Sequence, residues 1–259
     1  MKNLLLLALL ALFAQPLLAL SPEQQGRDIF VAIDKRENGF GDTRADVKMI
    51  LKNRSGDESL RLLEIKTLEV QNDGDKSLTL FDSPRDIKGT ALLSFTHALT
   101  PDDQWLYLPA LKRVKRIASA NKSGPFLGSE YAFEDLTSTE IEKYSYHYLR
   151  DEPLDGIDCF VVELTPRYEH SGYTRQITWV DKARYVVLKT EYYDRKNALL
   201  KTQTFSQYQQ YLGQYWRPLD QLMVNHQNGK STRLLSENFQ FRTGLTERDF
   251  DQNALKRSR

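Results

Sequence analysis

The stretch Cys159–Tyr193, CFVVELTPRYEHSGYTRQITWVDKARYVVLKTEYY, decides the fold. Cys159–Pro166, Thr174–Val180 and Tyr185–Tyr193 are rich in β-branched and aromatic residues, the composition of strands. Ser171-Gly172 and Asp181-Lys182, which separate them, are turn signals. A parallel connection needs a crossover of a dozen or more residues, usually a helix. Links this short therefore predict antiparallel hairpins. Further along, Lys201–Tyr211, Gln221–His226 and Thr232–Phe241 continue the pattern, with Asn228-Gly229 as another hairpin signal. In the other direction Asp155-Gly156 makes a turn, and Tyr144, Tyr146 and Tyr148 alternate as a strand does. Glu134–Ser138 predicts a short helix.

The N-terminal part adds strands of the same kind. Val47, Met49 and Leu51 alternate with lysines. In Ser59–Gln71, Leu60 and Leu62 point to one face and Leu63 and Ile65 to the other, so either both faces are covered or a bulge shifts the phase. Asn72-Asp73-Gly74-Asp75 turns the chain into Ser77–Phe81. Ile87, Ala91, Leu93 and Phe95 follow the interruption at Pro84. Ahead of these strands lies one helix. Ser21-Pro22-Glu23-Gln24 forms a capping box, Gly26, Ile29, Phe30 and Ile33 make one buried face, and Asn38-Gly39 stops it. Such a helix needs an apolar surface to cover, and the sheet supplies one.

Before the helix, Lys2 followed by the apolar run Leu4–Phe13 and a small residue at Ala19 reads as a secretory signal peptide, residues 1–19, cleaved after Ala19. No cysteine stands near that site, so lipid attachment there is excluded. The chain has 36 basic and 35 acidic residues. Lys2 is the only charged residue of the leader, so its removal leaves a balanced protein with no general pull toward nucleic acid. Cys159 is the single cysteine, which rules out an internal disulfide and fits a small buried side chain. No linker or repeat divides residues 20–259, which are predicted to form one mainly β domain with an N-terminal helix, a monomer. Thr246–Leu255 predicts a last short helical turn before a frayed tail.

Catalytic patterns are missing. His97, His147, His170 and His226 are scattered without metal-ligand spacing. Gly128-Ser129 is no nucleophile elbow, and the Gly124–Gly128 loop lacks the Lys-Ser/Thr ending of a phosphate loop. Asp102-Asp103 and Glu134-Asp135 read as solvated strand ends. The chain is predicted to be no enzyme and to carry no cofactor or metal.

What remains is the central stretch Asp102–Asp135, DDQWLYLPALKRVKRIASANKSGPFLGSEYAFED. Trp105 and Tyr107 must face one side of a strand, Leu106 and Leu108 the other. Lys112, Arg113, Lys115 and Arg116 put four cations in five positions, and Lys122 follows. Phe126 and Leu127 sit between Gly124 and Gly128. The run W-x-Y-x-P-A-L, the basic residues after it and the S-G-x-F-x-G-S loop resemble a LolA-like family of periplasmic proteins, described as outer-membrane lipoprotein-sorting and associated with RND/MMPL transporters. The resemblance implies a LolA/LolB-like incomplete antiparallel β-barrel whose concave face is closed by helices or loops over an apolar cavity.

On that basis the chain is expected to be a periplasmic carrier of a lipid or an acylated lipoprotein, working with an RND/MMPL-type inner-membrane transporter. Its acyl chain would be bordered by Trp105 or Tyr107, whichever faces inward, and gated by Phe126 and Leu127. For any single ring among the 12 Phe, 13 Tyr and 3 Trp ordinary core packing is the better account, and the cavity reading rests on their sum. Lys112, Arg113, Lys115, Arg116 and Lys122 would either dock an acidic partner or a phosphate headgroup, or protect a strand edge with charge. The alternative function is a protein-binding accessory or signalling module of the cell envelope on the same fold.

Overall fold

The computed structural model describes residues 20–253 and 255; the predicted leader lies outside the described residues. Helix α1 spans Pro22–Glu37, and Ser21 Oγ accepts from the Gln24 amide at 3.2 Å as the capping box requires. Thirteen strands follow in chain order: β1 Asp42–Lys52, β2 Glu58–Leu68, β3 Lys76–Ser83, β4 Ala91–Phe95, β5 Asp103–Leu108, β6 Arg113–Arg116, β7 Tyr144–Leu154, β8 Ile157–Pro166, β9 Tyr173–Asp181, β10 Val187–Asp194, β11 Leu199–Tyr211, β12 Tyr215–Asn225 and β13 Ser231–Phe241. They form one antiparallel sheet in the order β6-β5-β4-β3-β2-β1-β13-β12-β11-β10-β9-β8-β7. Two meanders are thus joined where β1 pairs with β13, with Val47 opposite Ser236 and Met49 opposite Leu234. β6 and β7 are the outer strands and do not pair, so the barrel is incomplete, as the resemblance implies.

Register sorts the side chains. On the inner face Val47 lies opposite Leu63, Leu63 opposite Phe81, and Leu92 opposite Leu106. This face carries the main core, completed by Met49, Tyr192, Met223 and Leu234 and by Ile117, Phe126, Tyr131 and Phe133 from the segment between β6 and β7. That segment lies on the concave face as a plug. Leu60 and Leu62 face outward, 51% and 38% exposed, while Leu63 is 3% exposed. The pairing of β2 with β1 is regular, and the irregularity falls opposite Leu62 and Leu63, where β3 skips from Ser83 to Phe81.

A second apolar cluster places α1. Ile29 and Phe30 pack on Tyr146, Val162, Leu164 and Val180. A Cβ at Gly26 would lie 2.9 Å from the Tyr148 amide nitrogen, so only glycine lets the helix approach the β7 backbone this closely. On the outer face, Leu245, Phe250 and Leu255 cover Leu78, Ala91 and Leu93. The C-terminal turn, Glu247–Phe250, is thus anchored by burial.

Candidate functional site

Between the inner face and its covering elements lies a cavity of about 760 Å³. Ala45 and Val47 of β1, Ile65 and Thr67 of β2, Gln221 of β12 and Ser236 of β13 form its floor. Phe30 and Ile33 of α1, Phe40, Val70 and Ile141 supply apolar wall from four other stretches of chain. Each floor residue is the inward member of an alternating strand, which is why one side of the cavity is continuous sheet.

The charged part of the lining is mostly acidic: Asp34, Glu37, Glu69, Asp73, Asp75, Glu140 and Glu142, against the single cation Arg217, with neutral polar residues such as Asn38, Gln71, Asn72, Ser138 and Thr139 among them. Four of these carboxylates are committed. Glu37 pairs with Arg217 at 2.5 Å, and Glu142 with Arg27 at 2.6 Å. Glu69 accepts the amides of Gly39 and Gly41 at 2.6 and 2.7 Å, closing the loop after α1. Asp73 accepts from the Ala98 amide and meets His97 Nδ1, both at 2.8 Å. Burial opposes ionisation of Asp73, but those contacts outweigh it and hold its pKa below the usual range.

The other three are less satisfied. Asp75 accepts one long hydrogen bond, from the Val70 amide at 3.2 Å. Burial pushes its pKa up to about 7, and the Glu140 and Glu69 carboxylates add to the rise. Glu140 is raised by burial as well, with Asp34, Asp102 and Asp73 adding to it and Lys143 opposing. Among the described residues, the side chains of Glu140 and Asp34 hydrogen-bond to nothing and form no ion pair. The cavity therefore joins apolar surface at Ala45, Val47 and Ile65 to three carboxyls that no ion pair neutralises.

The residues expected from the sequence lie elsewhere. Trp105 and Tyr107 face away from the concave side: Trp105 pairs across from Leu93 and Tyr107 from Ala91, beneath the C-terminal segment. Neither ring lines the cavity, which corrects the expectation for this strand. Its inward residues are Gln104, Leu106 and Leu108. Phe126 is 1% exposed, with its ring centroid 5.8 Å from that of Phe81 and 5.5 Å from that of Phe133. Leu127 packs on the same core, and its carbonyl accepts from Arg61 at 2.8 Å. The Gly124–Gly128 loop is tied by Phe126 N–H to Tyr131 O at 2.7 Å and Phe133 N–H to Gly124 O at 3.1 Å. It therefore fills the core, and the gate expected there is not what the packing shows.

Of the five cations, Lys112, Arg113, Lys115 and Arg116 are exposed on and beside β6, with Arg116 paired to Asp103. Lys122 is buried and donates to the Asp102 carbonyl, so it does not share their surface. The acidic pair Glu134-Asp135 is also inside, contrary to the solvated strand end expected. Asp135 meets Lys201 Nζ at 2.6 Å, their side chains 3% and 4% exposed, and accepts from Tyr173 Oη at 2.7 Å and the Ala132 amide at 2.6 Å. Lys201 also donates to the Glu130 carbonyl at 2.9 Å. Glu134 accepts from the Gly172 amide, Ser171 and Tyr168 at 2.8, 2.9 and 3.0 Å. These groups fasten the plug to β9 and β11.

Comparison with known proteins fits this architecture. A family model whose description reads "-like: Uncharacterized protein" matches residues 73–257. A crystal structure from Vibrio parahaemolyticus, assigned as an outer membrane lipoprotein-sorting protein domain, is 56% identical, covers 90% of this chain and 99% of its own, and superposes with a TM-score of 0.89. The chain belongs to the LolA-like, outer-membrane lipoprotein-sorting family. A DUF1329 family protein from Desulfovibrio piger ATCC 29098 is similar at 29% identity, TM-score 0.86, over 91% of this LolA-like chain and 100% of that one. A LolA superfamily protein from Nitrosomonas europaea, 21% identical with TM-score 0.71 over 91% of this chain and 100% of its own, shares the fold. No curated protein matches in sequence. Among the described residues no group of His, Cys, Asp and Glu is placed to hold a metal ion, and no helix is long and apolar enough to cross a membrane.

Proposed function

We propose that this chain is a non-enzymatic periplasmic carrier that binds the acyl chain of a lipid or lipoprotein in the cavity between α1 and the inner face of the sheet. The observation that carries the reading is that cavity, about 760 Å³ with a floor of inward strand residues, well within the range of small-molecule sites. Burying alkyl carbon contributes about 0.8 kcal/mol per CH₂. A chain of a dozen carbons is then held without a covalent bond. Membership of a lipoprotein-sorting family supports the same reading. It takes residues 20–259 as one half-barrel unit, exported behind a cleaved leader. Delivery would involve an inner-membrane transporter of the RND/MMPL type, for which the exposed cations of β6 are the proposed dock.

Native mass spectrometry of protein taken from the periplasm tests the reading, with co-purified lipid or acylated peptide expected. Thr67→Trp, which fills the cavity from its floor, should lose that adduct while keeping the parent's circular dichroism spectrum. An empty parent protein that also fails to bind any added amphiphile would overturn the carrier reading in favour of a protein-binding accessory module.

A further inference from the structure

The acidic lining of the cavity does not suit the simplest acyl cargo. A fatty acid or phosphate-headed lipid would bring a second anion beside carboxyls that already lack partners. An uncharged hydrocarbon would strip water from Asp75 and Glu140 and return nothing for it. Ordinary lipid burial thus explains the apolar surface and leaves the carboxyls unexplained.

Three carboxyls from three different stretches line the same cavity: Asp34 on α1, Asp75 before β3, and Glu140 ahead of β7. They are near enough to disturb one another, since Glu140 raises the pKa of Asp75 and Asp34 raises that of Glu140. Arg217 cannot neutralise them all, because Glu37 already holds its guanidinium at 2.5 Å. The wall's other carboxylates are used in the fold, as described above. What the cavity lacks is a cation beside the apolar surface of Val47 and Ile65.

Resting on the carrier reading, we infer that the cavity takes a cationic amphiphile, an aliphatic chain ending in an amine. The chain lies along Val47 and Ile65, and the ammonium group donates to Asp34, Asp75 and Glu140. Each ammonium proton then has an acceptor, and the carboxyls gain a counter-ion as cargo displaces their water. A basic peptide without a chain would satisfy the carboxyls but leave the floor unused, so the amphiphile is favoured.

Calorimetric titration below the micellar range tests this at pH 8 with dodecylamine, dodecanol and dodecanoate, on the parent protein and on Asp75→Asn/Glu140→Gln. Dodecylamine should bind at least about tenfold more tightly than dodecanoate, and about 0.5 M salt should narrow the gap. In the double variant the two affinities should converge to within about threefold, with dodecanol binding unchanged as proof that the cavity is intact. Dodecanoate binding the parent as tightly as dodecylamine would overturn the inference and leave the carrier reading standing. Failure of all three ligands would overturn the carrier reading itself. A lysine-rich peptide lacking an alkyl chain that binds as tightly as dodecylamine would replace the amphiphile with a peptide and also overturn the inference.

Discussion

Replacing Lys201 by methionine isolates the bond that holds the plug on the concave face. Methionine keeps most of the aliphatic stem, so the change is mainly loss of the ammonium group. Asp135 would then keep two hydrogen bonds, from Ala132 and Tyr173, at a site where its side chain is 3% exposed. Breaking a buried ion pair from one side typically costs about 3–5 kcal/mol, because the charge left behind stays desolvated. The Glu130 carbonyl loses its donor as well, which favours the upper half of that range. For a domain of this size each kcal/mol shifts Tm by about 2–4 °C, so Lys201→Met should melt roughly 6–20 °C lower. Adding Asp135→Asn removes the stranded charge; its Oδ1 can still accept from the Ala132 amide, while its Nδ2 turns the Tyr173 hydroxyl into an acceptor. The double variant should therefore recover part of the loss, with a coupling of about 1–3 kcal/mol in a double-mutant cycle. Urea and thermal unfolding followed by circular dichroism read both quantities. If Lys201→Met stayed within about 1 kcal/mol of the parent, or the double variant were no better than the single, the claim that this pair fastens the plug would fail.

The remaining expectations concern the cavity, the plug and the leader. Burial pushes the pKa of Asp75 up to about 7, with Glu140 and Glu69 adding to the rise and Arg217 opposing it, in a cavity also lined by Asp34, Glu37, Asp73 and Glu142. The folded state therefore binds the proton more tightly, and stability falls as pH rises from about 4 to 7. Asp75→Asn should match the parent near pH 4 and exceed it by about 1–4 kcal/mol at pH 8; equal urea midpoints at both pH values would refute the shift. Phe126→Ala should cost about 3–5 kcal/mol as a core truncation, whereas a mobile gate would lose almost nothing in urea unfolding. Intact-mass measurement of exported protein should show a chain beginning at Leu20, and retention of Met1–Ala19 would sink the predicted cleavage site.

Local signals carried the elements well because each has a local cause. Ser21 caps α1, the spacing of Gly26, Ile29 and Phe30 sets its buried face, and strand alternation sets the meander. Strand β12 shows where such reading stops short. It begins at Tyr215 rather than Gln221, and Pro218 sits inside it. Pro218 pairs with Tyr208 of β11, while pairing with β13 spans only Asp220–Val224, so the missing proline N–H costs no bond to β13. The faces of β5 were harder still. Alternation separates Trp105 and Tyr107 from Leu106, but the concave side is chosen by partners remote in sequence: the plug, and the C-terminal residues Leu245, Phe250 and Leu255. Lys201 and Asp135 stand 66 positions apart, and neither carries a local mark of burial. One signal was available, since an inward lysine two positions before an inward glutamine in β11 requires a buried acceptor.

The two outer strands carry features that disfavour edge pairing with other chains. Against β7 the helix lies close enough that Gly26 touches backbone, and His147 of that strand meets Glu23 of α1 at 2.9 Å. β6 has no such cover; it is four residues long and carries Arg113, Lys115 and Arg116, with Lys112 just before it. Shortness and like charge are established ways of keeping a strand edge unpaired. Edge protection is one account of these cations, and the same charge fixes what a partner must be if it docks there. A basic segment is repelled, while an acidic one gains the charge that the edge displays. The cavity has the opposite sign, with seven carboxylates and one cation, Arg217, in its lining. Under the carrier reading, cargo and delivery partner would then be sorted by charge: the amine toward the interior, the acidic surface toward β6. A ligand with the wrong sign for one site would be held away from it by the same electrostatics that favour it at the other.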